Sequence, residues 1–237
     1  MLNKTISFLL KLLKKEESSS RQKLEYNQVM KIAKQIHSEN PEALNDLIKL
    51  LARPYQSITM KSVLTELDQN SIKTIDSKEL FFDQFEKIPY LNQSLFDLKE
   101  KCNYSKPLKL KTDVILPWPW NQYRIINCLS NIGIDRPAGN WKQDDNHKIE
   151  YWLPFGIGFV HGGNHSITNG IINGTGVIKK YDTYDISKIY KFIYCDGEYY
   201  RIKKDNTIFQ KVNNLEFACI FEIGRLMLKS NKTLDDE

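Results

Sequence analysis

The sequence predicts an α+β protein in which an N-terminal helical region precedes a mixed α/β domain and a C-terminal helix closes the chain. Glycine distribution is the first sign, because nine of the eleven glycines lie between Gly133 and Gly176 and none precedes Gly133. A glycine-free stretch rich in Leu, Lys, Glu and Gln favours helices. The β-branched and aromatic residues of the second half favour strands. We expect a helical region at 1–110, a mixed domain at 111–230 and a disordered tail at 231–237.

Composition excludes several classes of protein. The chain has 237 residues, of which 41% are hydrophobic and 27% charged, so it can bury a core and is neither disordered nor collagen-like. No two of its four cysteines form a CxxC pair, so neither a thiolate zinc site nor a disulfide framework is indicated. We therefore expect a reduced, cytoplasmic, bacterial protein.

Six helices are predicted in the first half. They lie at about 3–16, 22–38, 41–52, 57–68, 77–85 and 92–102. Asn40 before Pro41 suits the N-cap of one helix, and Ser77 offers a second cap. Breaks are expected at the dipeptides 53–54 and 88–89, because a proline disfavours the helical conformation of the residue before it.

The first helix carries an apolar stripe formed by Ile6, Leu9, Leu10 and Leu13. Its apolar stretch is too short for a membrane span, which needs roughly 20 apolar residues. The stripe is typical of a helix that docks on a protein partner or forms a homo-oligomer. Weak association with a membrane surface and fraying are the alternatives.

The positive charge belongs to the helical half. Residues 1–112 hold 19 Lys and Arg against 14 Asp and Glu, whereas residues 113–237 hold 15 of each. A net charge of +5 spread over six helices is more typical of a solvated surface than of a nucleic-acid interface. Nucleic-acid contact remains the alternative.

The second half alternates short strands, glycine turns and helices. A helix at 121–132 should bury Ile125, Ile126, Leu129 and Ile132, and Gly133 can end it. The other predicted elements are strands at 114–116, 149–153, 156–160 and 176–182, helices at 166–172, 186–192 and 215–229, and a hairpin that pairs 192–195 with 199–203 across Asp196-Gly197.

A glycine turn between a strand and a helix is the candidate site. Gly162 and Gly163 let the backbone approach a ligand closely. The free N–H groups and the dipole at the start of the following helix attract phosphate or carboxylate. Asn164 and Ser166 could cap that helix or donate to phosphate oxygens, and His165 could donate to the same anion or move a proton.

Other interpretations of this turn stay open. Gly-Gly between a strand and a helix is also a common structural connection. A metal site would combine His161 and His165 with Asp144, Asp145 or His147 as further ligands. The two glycines disfavour one helix through both histidines, and neither an HExxH nor a DxD pattern is present.

Several residues outside the turn are weighed beside it. The four tryptophans lie between residues 118 and 152 and either pack in the core or form a stacking wall for a base, for which Trp120 is the candidate. A catalytic or metal-holding role for Asp182 or Asp185 and a general-base role for Glu150 are weaker alternatives. Capping of the helix at 186–192 is the favoured role of Asp185.

The run from Ile115 to about Ser187 resembles the ParB/sulfiredoxin-like fold. The turn at 162–166 is similar to the Gly-Gly-Cys-His-Arg turn of sulfiredoxins, and a glycine and a strand ending in aspartate follow at 176–185. The whole chain also resembles a little-characterised bacterial domain-of-unknown-function family with a Trp-Leu-Pro-x-Gly motif, here at 152–156, and a Gly-Asn-His-Ser-Ile motif, here at 163–167.

Departures from the sulfiredoxin turn limit what the resemblance implies. Asn164 replaces the cysteine, so the redox chemistry of sulfiredoxins is not implied. Ser166 replaces the phosphate-binding arginine, and Arg124, Arg136 or Lys142 would have to supply the charge. No helix-turn-helix pattern follows the domain, so a partition protein is not expected.

The sequence as a whole predicts a protein that binds a phosphate-bearing ligand, such as a nucleotide. Gly162, Gly163, Asn164, Ser166, Arg124 and Trp120 are the predicted binding residues. Any chemistry would be phosphoryl transfer or phosphodiester cleavage, with His165 or His161 as acid and base and Mg2+ as the cofactor. Two alternatives are a non-enzymatic interaction or regulatory protein that works through its helical half, and a nucleic-acid-directed toxin or phage-defence effector.

Overall fold

The computed structural model describes residues 2–72, 74–104 and 106–234, and among these it describes the side chains between 20 and 229 except that of residue 77. The predicted fold class is confirmed: N-terminal helices, a mixed sheet with smaller sheets, and a C-terminal helix that packs against the first helix form an α+β fold. The helices are α1 (Leu2–Glu39), α2 (Leu44–Thr65), α3 (Ser77–Leu80), α4 (Leu95–Leu98), α5 (Gln122–Asn131), α6 (Asn164–Ile172) and α7 (Leu215–Leu234). Short 3-10 helices lie at Pro41–Ala43, Gln69–Ser71 and Ser187–Lys191.

The N-terminal helices are longer than predicted. The segments at 3–16 and 22–38 form the single helix α1, because the serines between them are weak helix formers and not breakers. The backbone of the predicted apolar stripe is helical, but its side chains lie outside the described residues. The predicted cap is confirmed, since Oδ1 of Asn40 accepts a hydrogen bond from the N–H of Glu42 at 3.2 Å.

The predicted break at Arg53-Pro54 is wrong, because Pro54 lies inside α2. A proline within a helix removes the hydrogen bond to the carbonyl four residues earlier, here that of Leu50. Both positions face solvent, so water can hydrate that carbonyl. Ile48 and Val63 are buried on either side of the proline, and their packing holds the helix through it.

The predicted helices at 77–85 and 92–102 are reduced to one turn each, α3 and α4. Long-range contacts replace the helical hydrogen bonds: the N–H of Asp83 donates to Oε1 of Gln210 at 2.9 Å, and that of Phe96 donates to the carbonyl of Gln84 at 2.8 Å. Residues 100–101 form a strand instead, because they pair with a strand of the second half.

In the part of the chain that the structure describes, ten strands form three sheets. They are β1 (Glu100–Lys101), β2 (Leu108–Lys109), β3 (Val114–Leu116), β4 (Lys148–Leu153), β5 (Ile157–Gly162), β6 (Val177–Ile178), β7 (Asp182–Asp185), β8 (Ile193–Cys195), β9 (Tyr199–Ile202) and β10 (Ile208–Lys211). The main sheet has the order β1-β7-β4-β5-β3. β3 pairs in parallel with β5, and β4 in parallel with β7, while β4 and β5 are antiparallel.

Alternate residues of the main sheet enter two different cores. Leu116, Trp152 and Phe159 face the large core, which also contains side chains of α1, α2 and α7. Ile115 and Val160 face a smaller core beneath α6. This alternation follows from the two-residue repeat of a strand and shows that both faces of the sheet are covered.

The remaining elements follow the predicted order with shifted ends. The hairpin across Asp196-Gly197 is confirmed as β8 and β9, and the unpredicted β10 adds a third strand to it. The predicted strand at 176–182 is split into β6 and β7. α7 runs to Leu234, and residues 235–237 of the predicted tail lie outside the described residues. No helix in the described residues is long and apolar enough to cross a membrane.

Candidate functional site

Two strand-to-helix turns meet at one end of the main sheet. β3 leads through residues 117–121 into α5, and β5 leads through Gly163 into α6. Because β3 and β5 are parallel neighbours, the two turns follow the same edge of the sheet. The space outside the carboxyl ends of parallel strands is a frequent position for ligand sites. A cavity of about 350 Å3 lies between the two turns.

The β5–α6 turn requires both of its glycines. Gly163 is the N-cap of α6 and has a φ of 77°, in the left-handed region. A Cβ atom there would lie 2.3 Å from Cδ2 of His147, and a Cβ atom on Gly162 would lie 2.4 Å from the carbonyl oxygen of Asn146. No side chain caps the helix. The first N–H groups of α6 therefore have neither an intrahelical acceptor nor a side-chain cap.

Asn164 and His165 hold the other turn in place. Oδ1 of Asn164 accepts a hydrogen bond from the N–H of Trp118 at 2.9 Å. Nε2 of His165 accepts from the N–H groups of Trp120 and Asn121, at 3.3 and 3.0 Å. Burial and the neighbouring positive charge of Arg124 lower the pKa of His165 to about 4. His165 is therefore a neutral acceptor at pH 7, with its Nε2 lone pair directed at the backbone.

Ser166, His147 and Asp144 lie in a row that resembles a nucleophilic triad. Nε2 of His147 is 3.1 Å from Oγ of Ser166, and Nδ1 is 3.0 Å from Oδ1 of Asp144. However, the backbone N–H of Asp144 points at Nδ1 from 2.8 Å, so Nδ1 accepts a hydrogen bond and Nε2 carries the proton. In this tautomer Nε2–H donates to Ser166. The ring cannot then act as the base for that hydroxyl, whose own hydrogen is left to donate elsewhere.

A cation and two aromatic rings form the outer wall of the cavity. The guanidinium of Arg124 lies 5.2 Å from the ring centre of Trp120, within the range of a cation–π contact. Trp120 is 37% exposed and Tyr123 is 79% exposed. Oδ1 of Asn121 caps α5 by accepting from the N–H of Arg124 at 2.9 Å. Helices α5 and α6 therefore both begin at this cavity.

The structure brings all the predicted site residues together. The eight residues line this one cavity: Trp120, Arg124, His161, Gly162, Gly163, Asn164, His165 and Ser166. Trp118, which the sequence offered as one of four possible stacking tryptophans, also lines the cavity; sequence reasoning missed Tyr123, and it missed His147 as the partner of Ser166. The clustering of His147 with the other histidines in the sequence is the signal that could have found it.

Three other charged residues that the sequence offered, Arg136, Asp182 and Asp185, have structural partners. Arg136 donates to the carbonyls of Leu129 and Ile132 at the end of α5. Asp182 forms an exposed ion pair with Lys101 at 2.7 Å. The helix predicted after Asp185 is the 3-10 helix Ser187–Lys191, whose N-cap is Ile186 without a side-chain cap; Oδ1 of Asp185, one residue earlier, accepts from the N–H of Ser187 at 2.7 Å.

The tryptophans divide between core and cavity. Trp141 and Trp152 are buried, as core packing predicts. Trp118 is half-buried, and its Nε1–H donates to the carbonyl of Val160 at 3.0 Å. Only Trp118 and Trp120 line the cavity, so a stacking role is available to them alone among the four.

Nothing in the described parts of the chain forms a group of three or more His, Cys, Asp or Glu side chains that could hold a metal ion. The pair proposed for the metal alternative is divided: Nε2 of His165 accepts two backbone hydrogen bonds, and Nε2 of His161 lies 3.3 Å from Oε2 of Glu150. The metal alternative therefore gains no support from the geometry.

Comparison with known proteins gives one match. A model of a family of unknown function, DUF6710, matches residues 11–234, so the chain belongs to that family. No curated protein and no solved structure matches the chain.

Proposed function

We propose that this DUF6710 protein binds a phosphate-bearing ligand, a nucleotide, in the cavity between the β3–α5 and β5–α6 turns. One observation carries the proposal: the N-terminus of α6 has no side-chain cap and opens onto a cavity that also contains Arg124. The phosphate would occupy the place of the missing cap.

The electrostatics of this place favour an anion. The N–H groups of Asn164, His165 and Ser166 belong to the first turn of α6 and have no acceptor within the helix. The helix dipole adds partial positive charge at the same point. The Ser166 hydroxyl, which accepts from His147, is a further donor toward the cavity. Arg124 would supply a full positive charge.

The aromatic wall supports a nucleotide over a bare anion. Trp120 and Tyr123 present exposed rings at the mouth of the cavity, and each ring offers a face on which a planar base can stack. The cavity volume of about 350 Å3 lies at the lower end of the range for small-molecule sites. The resemblance to ParB/sulfiredoxin-like domains belongs to the same proposal, with Arg124 as the cation in place of the arginine that Ser166 replaces.

Binding of nucleotides to the full chain tests this proposal. Calorimetric titration with ATP, GTP, CTP and UTP, with MgCl2 and with EDTA, should give saturable heat with at least one of them. Arg124→Ala should weaken binding about tenfold or more, because a hydrogen bond to a charged group contributes about 1.5–3 kcal/mol. Arg21→Ala is the matched control, since it removes a guanidinium that is 83% exposed on α1, where it pairs with Glu25.

A second arm separates the base from the phosphates. Inorganic triphosphate should bind to the same site more weakly than the nucleotide, and Trp120→Ala should reduce that difference. Absence of binding by every nucleotide and by triphosphate would overturn the proposal. Equal weakening by Arg124→Ala and Arg21→Ala would show nonspecific attraction to a basic protein instead.

A further inference from the structure

His161 stands apart from the other two histidines of the region. Its side chain is 58% exposed, and it lines the turn cavity as well as two neighbouring cavities. His165 and His147 each have a ring nitrogen occupied by backbone N–H groups. The ring of His161 instead meets a carboxylate, with Nε2 at 3.3 Å from Oε2 of Glu150.

Glu150 is held in one orientation by two side chains, Lys99 and Trp152, whose contact with it was not predicted from the sequence. Nζ of Lys99 lies 2.5 Å from Oε1 of Glu150, and Nε1–H of Trp152 donates to the same oxygen at 3.1 Å. The Lys99 side chain is only 8% exposed. Its ammonium lies among the rings of Phe96, Trp152 and Tyr184, at 4.4 to 5.8 Å from their centres.

This arrangement keeps Glu150 ionised. Burial alone would raise the pKa of its carboxyl group, but the hydrogen bonds from His161 and Lys99 outweigh burial and lower the pKa to about 2. Lys99 and Trp152 both use Oε1, so Oε2 is left to accept from Nε2–H of His161. With Nε2–H directed at this oxygen, the lone pair of the neutral ring lies on Nδ1.

We propose that the turn cavity is a hydrolytic site for phosphate esters, in which His161 is the general base and Glu150 is the positioning residue that orients it. This inference rests on the proposed function, since α6 and Arg124 would hold the phosphate that reacts. Glu150 and His161 lie on adjacent strands, β4 and β5, so the sheet sets their spacing. A proton acceptor on a rigid strand beside an anion site is the arrangement that attack by water needs.

The step balances with water as the only co-reactant. Nδ1 of His161 takes one proton from a water molecule as its oxygen bonds to phosphorus, and the P–O bond to the leaving group breaks. The leaving oxygen departs with the bonding electrons, and His161 then releases its proton to solvent. The products are a phosphate with one ester bond fewer, the leaving group and one proton.

Hydrolysis of bis(4-nitrophenyl) phosphate by the full chain tests the inference, because nitrophenolate is coloured and leaves without needing a proton. His161→Ala should lower kcat by 10²- to 10⁴-fold, the range for loss of a general base. Added imidazole should restore part of that rate, which a purely structural role would not allow. Glu150→Gln should lower kcat with little change in KM.

Glu100→Gln is the matched control for Glu150→Gln. Glu100 lies on β1 of the same sheet, and its carboxylate pairs with a lysine, Lys188. The substitution therefore also removes a paired carboxylate charge, but at a position away from the cavity. It should leave kcat unchanged. Circular dichroism of each variant verifies that it is folded.

The outcomes separate this inference from the proposed function. If the protein binds nucleotides but hydrolyses neither them nor the nitrophenyl ester, with MgCl2 or with EDTA, the inference is wrong and the proposed function stands. If His161→Ala keeps full activity, or is not rescued by imidazole, His161 is not the base. If nothing binds and nothing is hydrolysed, both are wrong.

Discussion

His165 shows how one side chain can hold two turns together. Its Nε2 accepts from two backbone N–H groups of the opposite turn, and its pKa is lowered to about 4. An unfolded histidine titrates near 6.5, so between pH 6.5 and pH 4 the unfolded chain binds a proton that the folded protein does not. The free energy of unfolding should therefore fall as pH falls through this window, by about 3 kcal/mol at most.

A variant isolates this contribution from the carboxylates that titrate in the same range. The amide oxygen of His165→Gln can accept the same two N–H groups but does not titrate. Urea unfolding of both proteins at pH 7, 6, 5 and 4 gives the comparison. The stability of the wild type should fall more steeply than that of the variant. Equal slopes would mean that the ring is not held neutral in the folded protein.

Residue types in the turn were predictable, but their partners were not. Two consecutive glycines between a predicted strand and a predicted helix indicate a close backbone approach, and the steric contacts of Gly162 and Gly163 bear this out. The contact between His161 and Glu150 depends on which strands pair and in what register. Neither the pairing nor the register can be predicted from a local sequence pattern. The contact of Lys99 with Glu150 was even harder to predict, because Lys99 lies in the segment predicted as a helix at 92–102, of which only the turn α4 is helical.

At the scale of elements, Gly197 tests how α1 is attached to the β8–β9 hairpin. Tyr26 of α1 donates through its hydroxyl to the carbonyl of Cys195 at 2.8 Å, and a Cβ atom on Gly197 would lie 2.6 Å from Cγ of Tyr26. Gly197 also has a φ of 97°. Gly197→Ala should therefore lower the free energy of unfolding by several kcal/mol, through backbone strain and a clash together.

Gly139→Ala separates these two causes. Gly139 has a φ of 68°, and a Cβ atom there would have nothing within 4 Å. Its substitution should cost about 1–2 kcal/mol through backbone strain alone. Urea midpoints of the two variants give the comparison. Equal losses would mean that α1 moves away from the hairpin without cost.

Pro54 gives the opposite kind of test, because removing it should stabilise α2. An interior proline costs about 3 kcal/mol of helix stability relative to alanine, offset by up to about 1 kcal/mol because proline also restricts the unfolded chain. Pro54→Ala restores the N–H that can bond to the carbonyl of Leu50 and should raise the free energy of unfolding by about 2 kcal/mol in urea. Ser57→Ala, at an exposed position of the same helix, is the control. A gain no larger than that of the control would contradict the prediction.

Helix prediction succeeded where periodicity was long and failed where it was short. α5 and α7 carry an apolar face over several turns and lie close to their predicted positions. The segments at 77–85 and 92–102 have cap residues and apolar side chains, but Phe81 and Phe82 enter the large core and residues 100–101 complete a sheet. Ile126 was predicted to be buried on α5 and is 60% exposed, because only Ile125 and Leu129 face α2. Tertiary contacts determine whether such short segments are helical and which of their side chains are buried, and the composition of a segment does not reveal these contacts.

At the scale of the molecule, the helical and mixed regions share one core. Met30 and Leu44 from the first region and Trp152 and Phe217 from the second belong to the same buried cluster. Two regions that bury the same apolar surface should unfold together, because neither keeps its core without the other. We therefore expect one cooperative transition.

Two optical probes can test this cooperativity, because the chain separates them naturally. All four tryptophans lie between residues 118 and 152, so their fluorescence reports on the main sheet and the turns beside it, whereas far-ultraviolet circular dichroism is dominated by the long helices, α1 and α2 of the helical region and α7 of the mixed region. Urea transitions followed by the two signals should superimpose, with the same midpoint and slope. A fluorescence midpoint that differs from the dichroism midpoint would mean that the helices and the sheet unfold separately. In that case β3, β5, α5 and α6 would keep the turn cavity intact without the helices that cover the opposite face of the main sheet.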